Sequence, residues 1–205
     1  MTIRKGEEWG TRITAPLVIT EVGGDGAIAT FGRDDVMSLF KGDLFDALGC
    51  PAIVQPGTPC SLLEIDAFQC EITLKDGAVK KEIAASCIEI GSFAPRIGRS
   101  SRYVCISNAG IVRGRNLTPR AHPNDGYLDV LEVSESISLR NRFQALKRSA
   151  TGTHLPHPDI SARRSVDCEF RNESGREILR IDRTKISSWK SIRVTVIPDY
   201  WKIVV

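Results

Sequence analysis

Asp125 and Asp129 are the residues of this 205-residue chain best placed by type and spacing to do chemistry. They lie in the segment PRAHPNDGYLDV, Pro119 to Val130, where Asn124, Asp125 and Gly126 form a tight acidic turn. Asx side chains bond nearby backbone groups and glycine tolerates positive φ. Tyr127, Leu128, Val130, Leu131 and Val133 continue the turn as a largely buried β-strand. Such a turn brings the two carboxylates together, which suits a hard cation such as Mg²⁺ or the orientation of a neighbouring loop. The same pattern also makes an ordinary hairpin corner.

Two further strings place glycine beside aspartate. APLVITEVGGDGAIATF is an apolar strand running into Gly23, Gly24, Asp25 and Gly26, and LFKGDLFDALGC carries Gly42 and Asp43. Backbone N–H groups exposed in a glycine loop can cradle phosphate oxygens. Glycine and aspartate are equally the vocabulary of plain turns, so both readings stand. Neither a G-x-x-x-x-G-K-S/T string nor a complete G-x-G-x-x-G followed by a helix accompanies them.

On these residues the chain resembles the diacylglycerol kinase and YegS-type lipid kinase family. That family's C-terminal β-sandwich carries a similar proline, alanine, Asp-Asp-Gly-Leu-Leu-Asp-Val segment. Here Asn124 stands for the first aspartate, while Asp125, Gly126, Leu128, Asp129 and Val130 match. The C-terminal LRIDRTKISSWKSIRVTVIPDYWKIVV resembles the family's Val-Asp-Gly-Glu segment and its two closing strands. The likeness puts Asp182 on the aspartate that serves the family as general base toward a lipid hydroxyl, with Arg183 and Thr184 replacing glycine and glutamate. GGDG is similar to the family's GGDGT loop with Ala27 in place of threonine. The segment around Gly42, Asp43, Phe45, Leu48 and Gly49 is similar to its second nucleotide loop with the Gly-Thr pair missing.

The resemblance covers roughly Cys60 to Val205 and implies ATP and Mg²⁺ as cofactors. In that reading Gly23, Gly24, Asp25, Gly26, Gly42 and Asp43 touch phosphate, and Asp125 and Asp129 support the metal. Residues 4 to 10, 120 to 126 and 151 to 158 are similar to short actinobacterial proteins that keep the sandwich with a reduced N-terminal portion.

The composition allows one large domain or one domain with an appendage, and 41% apolar residues suffice for a real core. Only 22 residues precede Gly23, too few for the several βα units of a complete nucleotide domain. EITLKDGAVKKEIAASCIEI reads as a hairpin with Asp76 and Gly77 at its tip, and RSVDCEFRNESGREILRID as a second turned at Glu173, Ser174 and Gly175. SIRVTVIPDYWKIVV ends the chain in strands broken at Pro198. Regular strands with polar turns predict a mainly β, α+β fold: an antiparallel β-sandwich over residues 59–205 behind a short α/β segment over residues 1–58.

The net charge of +3 is unevenly spread. Arg96, Arg99, Arg102, Arg113, Arg115 and Arg120 fall in a stretch without an acidic residue, and Arg140, Arg142, Lys147, Arg148, Arg163 and Arg164 follow. Ser138 caps a predicted helix through about Ala150 whose packed face is Leu139, Phe143, Leu146 and Ala150. Arg140, Lys147 and Arg148 then offer a basic surface to an anionic ligand or lipid headgroup, or form a solvated helix exterior. His154 and His157 in TGTHLPHP either touch that anion or order the loop. Pro156 and Pro158 prevent the helical register a metal pair would need, and a zinc site needs more ligands than His122 adds.

Six cysteines without a CxxC pair read as small buried hydrophobes in a reducing compartment. With neither a leader-like start nor a membrane-length apolar run, a cytoplasmic protein without a transmembrane segment is expected. No nucleic acid is expected as a partner. Two functions remain: ATP-dependent phosphoryl transfer to a lipid hydroxyl, or a noncatalytic lipid- or anion-binding module. A partner protein supplying the missing nucleotide half is a further expectation.

Overall fold

The computed structural model describes residues 9–94 and 101–205. Arg96, Arg99 and the motif residues 4 to 8 lie outside the described residues. The first elements are β1 (Thr11–Thr14), β2 (Thr20–Gly23), α1 (Asp25–Ile28), β3 (Val36–Lys41) and α2 (Asp43–Ala47). Then come β4 (Pro59–Leu74), β5 (Val79–Ala84), β6 (Cys87–Gly91), β7 (Tyr103–Ser107), β8 (Ile111–Val112), β9 (Arg115–Asn116) and β10 (Leu128–Val133). The helix α3 (Leu139–Arg148) precedes β11 (Ile160–Ser165), β12 (Asp167–Arg171), β13 (Leu179–Ile181), β14 (Thr184–Ile186) and β15 (Trp189–Val204).

Two 16-residue strands, β4 and β15, form the spine. They pair antiparallel from Trp189 opposite Leu74 to Val204 opposite Leu62, with irregularities between Trp189 and Ser191 and between Ile197 and Trp201. The first half of β15 takes β12 on its other side, and its last turn of strand takes β3 in parallel. β4 is likewise shared, by β1 near its start and β5 near its end. Because β1, β3 and the parallel strand β2 lie in the same sheet as β4 and β15, residues 56–58 are a turn leading into β4 within one hydrogen-bonded sheet. The expected sandwich is completed by a second sheet in the order β11-β10-β7-β6-β13-β14, and β8 and β9 form a small hairpin.

Strand alternation explains the cores. In β7 every residue is buried: Val104 and Ile106 face the sandwich interior with Ile88, Ile192 and Val194, while Tyr103 and Cys105 face an outer cluster with Leu131, Ile137 and Ala145. A third cluster, with Val22, Ile28, Met37, Leu44, Ile65 and Trp201, seats the N-terminal helices. The cysteines are all free; four are buried, Cys60 is half-buried and Cys50 is exposed.

The first predicted hairpin forms at its tip and is shortened, and the second is corrected. β4 and β5 do pair around Asp76 and Gly77, but after Ala84 the chain crosses to the second sheet, so CIEI does not extend that hairpin. β12 pairs with β15 and β13 with β6, in opposite sheets. Both segments alternate in the manner of a hairpin, and alternation does not say which sheet buries the apolar face.

The helix begins as predicted, with the Ser138 hydroxyl accepting from Asn141 N, but its packed face is different. Arg142 and Ala145 point inward, whereas Leu139 and Phe143 remain 50% and 59% exposed. The Arg142 guanidinium donates to the carbonyls of Phe93, Ser101 and Ser92 at 3.1, 2.7 and 2.5 Å. It thereby ties the helix to both ends of the connection between β6 and β7. No neutral side chain could satisfy three carbonyls here.

The irregularity at Ile197–Trp201 in β15 is organised by Asp66, a fully buried carboxylate in mid-strand. It accepts from Gly126 N at 2.7 Å and Asp199 N at 3.0 Å, and Asp66 N donates to Pro123 O at 2.8 Å. The Asn124–Gly126 turn is thus fastened onto the spine where β15 bulges. Burial pushes the Asp66 carboxyl up to about 6, against the two N–H donors.

Two predictions follow from these contacts. Arg142→Met should lower the unfolding free energy in urea by about 2–4 kcal/mol, since three carbonyls lose their donor, while Arg140→Met changes it by less than about 0.5 kcal/mol. Equal effects would show that Arg142 does not anchor the helix. For Asp66, the folded value lies above the model-peptide 3.8, so between these values the folded chain binds a proton that the unfolded chain has released. This contribution favours folding at the acid side and is lost as pH rises through about 6, with an upper bound of about 3 kcal/mol. The carboxyl carbon of Asp66, followed by NMR, should titrate near pH 6; a midpoint below about 4 contradicts it.

Candidate functional site

The two glycine strings meet in space. Both follow parallel neighbours, β2 and β3, so each loop turns into a short helix on the same end of the sheet. Gly24 and Gly42 have φ of 106° and 132°, backbone that L side chains rarely adopt. At Gly42 a Cβ would also stand 2.6 Å from Asp25 Oδ1. That closeness is functional for the loop pair: the Asp25 carboxylate accepts from Asp43 N at 2.9 Å and Leu44 N at 3.0 Å. The anion at the start of α2 is therefore the chain's own.

Asp43 is fully buried and meets two hairpin tips from the sandwich half. Its Oδ1 accepts from Arg113 N at 2.8 Å, in the β8–β9 turn, and lies 2.6 Å from Arg183 Nη2, in the β13–β14 turn. Arg113 and Arg183 have φ of 53° and 72°, as tight two-residue turns require. Arg113 also reaches Glu89, at 2.7 Å, and Tyr103 Oη donates to Glu89 at 3.0 Å. Burial raises the Asp43 carboxyl against Arg183, and Asp43 Oδ2 has no partner among the described residues.

Asp182 adjoins this joint, with its carbonyl 3.5 Å from where a Cβ on Gly26 would stand. Its carboxylate accepts from Ala85 N at 2.6 Å, Ser86 N at 2.9 Å, Ser86 Oγ at 3.1 Å and Cys87 N at 3.0 Å. Four donors are about what a carboxylate can accept. They pin the crossing from β5 to β6, and burial pushes this carboxyl up while the N–H bonds oppose it. Asp25, Asp43, Glu89 and Asp182 thus gather four buried carboxyls around the two half-exposed guanidinium groups of Arg113 and Arg183.

The turn aspartates lie apart from this joint in their contacts. Asp125 and Asp129 do come together, and the cation between them is Arg164, at 3.1 Å from Asp125 Oδ2 and 3.3 Å from Asp129 Oδ1. Burial raises both carboxyls, Asp129 to about 6, despite that guanidinium. Among the described residues no group of three His, Cys, Asp or Glu side chains is arranged to hold a metal ion.

Of the expected anion ligands, Arg140, Lys147 and Arg148 are exposed on α3. His154 is not on that surface. It is 2% exposed, its Nε2 lies 3.0 Å from Leu117 O, and its ring neighbours Phe93, because the loop after α3 folds inward. His157 Nδ1 accepts from Asp159 N at 3.1 Å and orders the loop. A cavity of about 600 Å³ opens elsewhere, lined by Glu132, Asp159, Glu173 and Glu177 beside Arg102, a rim that repels phosphate.

Sequence reasoning missed Asp66 and Glu89, and it read Arg113 and Arg142 only as members of basic clusters. An acid between Ile65 and Ala67 in the largely apolar run LLEIDAFQC was a usable signal for Asp66, and Arg113-Gly114 after the apolar pair Ile111-Val112 was one for the Arg113 turn. For Arg142 the charge itself concealed the burial.

Comparison with known proteins adds the lineage. Among solved structures, a Bacillus anthracis str. Sterne protein assigned as a diacylglycerol kinase superposes with a TM-score of 0.57 at 12% identity, covering 90% of this chain and 76% of that one. Yeast NADH kinase, solved with NADH, gives a TM-score of 0.55 at 13% identity, covering 91% and 60%. These likenesses establish the fold. A sequence comparison with curated proteins finds no match. Among the described residues no helix is long and apolar enough to cross a membrane. Residues 88–204 match the family described as the YegS C-terminal NAD kinase beta sandwich-like domain, and with more than half its length matched the chain belongs to that family.

Proposed function

We propose that this chain is a noncatalytic member of the family, in which the nucleotide loops have become a joint between the N-terminal unit and the sandwich. Binding is then the activity left to the fold. The observation that carries this reading is the bonding of Asp182: a general base needs an oxygen directed at its proton donor, and this carboxylate is given over to four donors of the Ala85–Cys87 crossing.

The surroundings support it. Phosphoryl transfer depends on positioning and on stabilising charge. Here the start of α2 carries Asp25, and the guanidinium groups of Arg183 and Arg113 are already engaged by the buried side chains of Asp43 and Glu89, so that neither cation is open to a nucleotide's phosphates. Nor does the donor set suit Mg²⁺, because Arg164 already bridges Asp125 and Asp129. The unpartnered oxygens Asp43 Oδ2 and Asp129 Oδ2 sit where burial favours a proton.

Mg·ATP should therefore leave the melting temperature of the pure protein unchanged. A working site at 100 times its dissociation constant would add about 2.7 kcal/mol, an upward shift of roughly 5–10 °C. Such a shift, joined by a phosphorylated lipid product, would overturn the proposal.

Asp182→Asn gives the second test. It sets an amide NH₂ against backbone N–H groups, so the variant should lose about 2–4 kcal/mol of unfolding free energy. A kinase would instead keep its stability and lose roughly 10²–10⁴-fold in turnover.

A further inference from the structure

The outward face of α3 combines features that its buried face does not require. Leu139, Phe143 and Lys147 follow one another at i, i+4 and i+8, with Arg140 and Arg148 beside them, and all five are exposed. The helix sequence LRNRFQALKR contains no acidic residue, and among the described residues no carboxylate pairs with Arg140, Lys147 or Arg148. A solvated helix face has no need to leave a phenylalanine 59% and a leucine 50% exposed in the row that carries its cations. The face is also rigidly presented, because Arg142 is fixed to three carbonyls beneath it and Arg115 donates to Leu146 O at 2.8 Å.

We infer that α3 docks this protein on an anionic lipid surface, with Phe143 and Leu139 entering the headgroup boundary and Arg140, Lys147 and Arg148 meeting lipid phosphates. Charge complementarity selects an anionic occupant. The apolar pair within the cationic row selects a bilayer interface over a soluble anion, since free phosphate offers nothing to an aromatic ring. A single convex helix also lacks the groove a folded acidic partner would fill. This inference goes beyond the noncatalytic reading and stands or falls separately, because none of its residues belongs to the nucleotide-loop joint.

The test is flotation of the full chain with vesicles of phosphatidylcholine containing about 30% phosphatidylglycerol, against phosphatidylcholine alone. Binding to the anionic vesicles is expected, weakening as salt rises. Replacing Arg140, Lys147 and Arg148 with glutamine should weaken it about 100-fold, at roughly fivefold per cation. Leu139→Ser with Phe143→Ser should weaken it about tenfold or more. Both variants should keep the parent melting temperature, since the changed side chains are exposed. Equal partition to neutral and anionic vesicles, or no binding to either, overturns the inference. So does loss in the glutamine variant alone with the serine variant unaffected, which would reveal simple anion attraction without interfacial docking.

Discussion

The pairing of β4 with β15 is the constraint on which the molecule depends. Each strand runs 16 residues, long enough to serve the sandwich at one end and the N-terminal α/β unit at the other. A strand pair of that length with right-handed twist cannot stay regular over both packing environments, and the irregularity at Ile197–Trp201 falls where one cluster gives way to the other. Asp66 faces it and supplies the acceptors that the displaced Asp199 N and the Gly126 turn require. Its burial is costly, and the raised carboxyl records that cost.

The joint between the two glycine loops and the hairpin tips follows from the same arrangement. Once β3 pairs in parallel with the end of β15, the loops after β2 and β3 are carried to the tips of the β8–β9 and β13–β14 hairpins. The two short helices bury Ile28 and Leu44 in the third cluster, and polar contacts complete the joint around them. The polar contacts across the joint are Asp25 to the start of α2, Asp43 to Arg113 and Arg183, and Asp182 to the crossing between β5 and β6. A buried network of this kind fixes one geometry when its members are satisfied and becomes costly when one partner is removed.

α3 shows the complementary use of charge. Its buried arginine is held by carbonyls and makes no ion pair among the described residues, so these contacts anchor the helix without a carboxylate that would draw cations inward. The remaining cations stay outside, beside two apolar side chains that the interior does not claim.

Much of this was written in local sequence. The Asn124–Gly126 turn, the strand after it, the start of α3 at Ser138 and the buried nature of most cysteines depend on φ preferences, capping and period-two alternation within a few residues. The motif segments also placed the chain in its family and its fold class. What tertiary structure alone decided was partnership. Asp182 accepts from residues almost 100 positions earlier, Asp43 meets an arginine 140 positions later, and the strands flanking Glu173–Gly175 separate into different sheets. The helix likewise turned Arg142 inward and Phe143 outward because three carbonyls of a distant connection awaited a donor. Hydrophobic periodicity carries no record of such an unsatisfied group. A side chain's type states what it can bond to, and only the folded chain determines whether that capacity is open to a ligand or already taken.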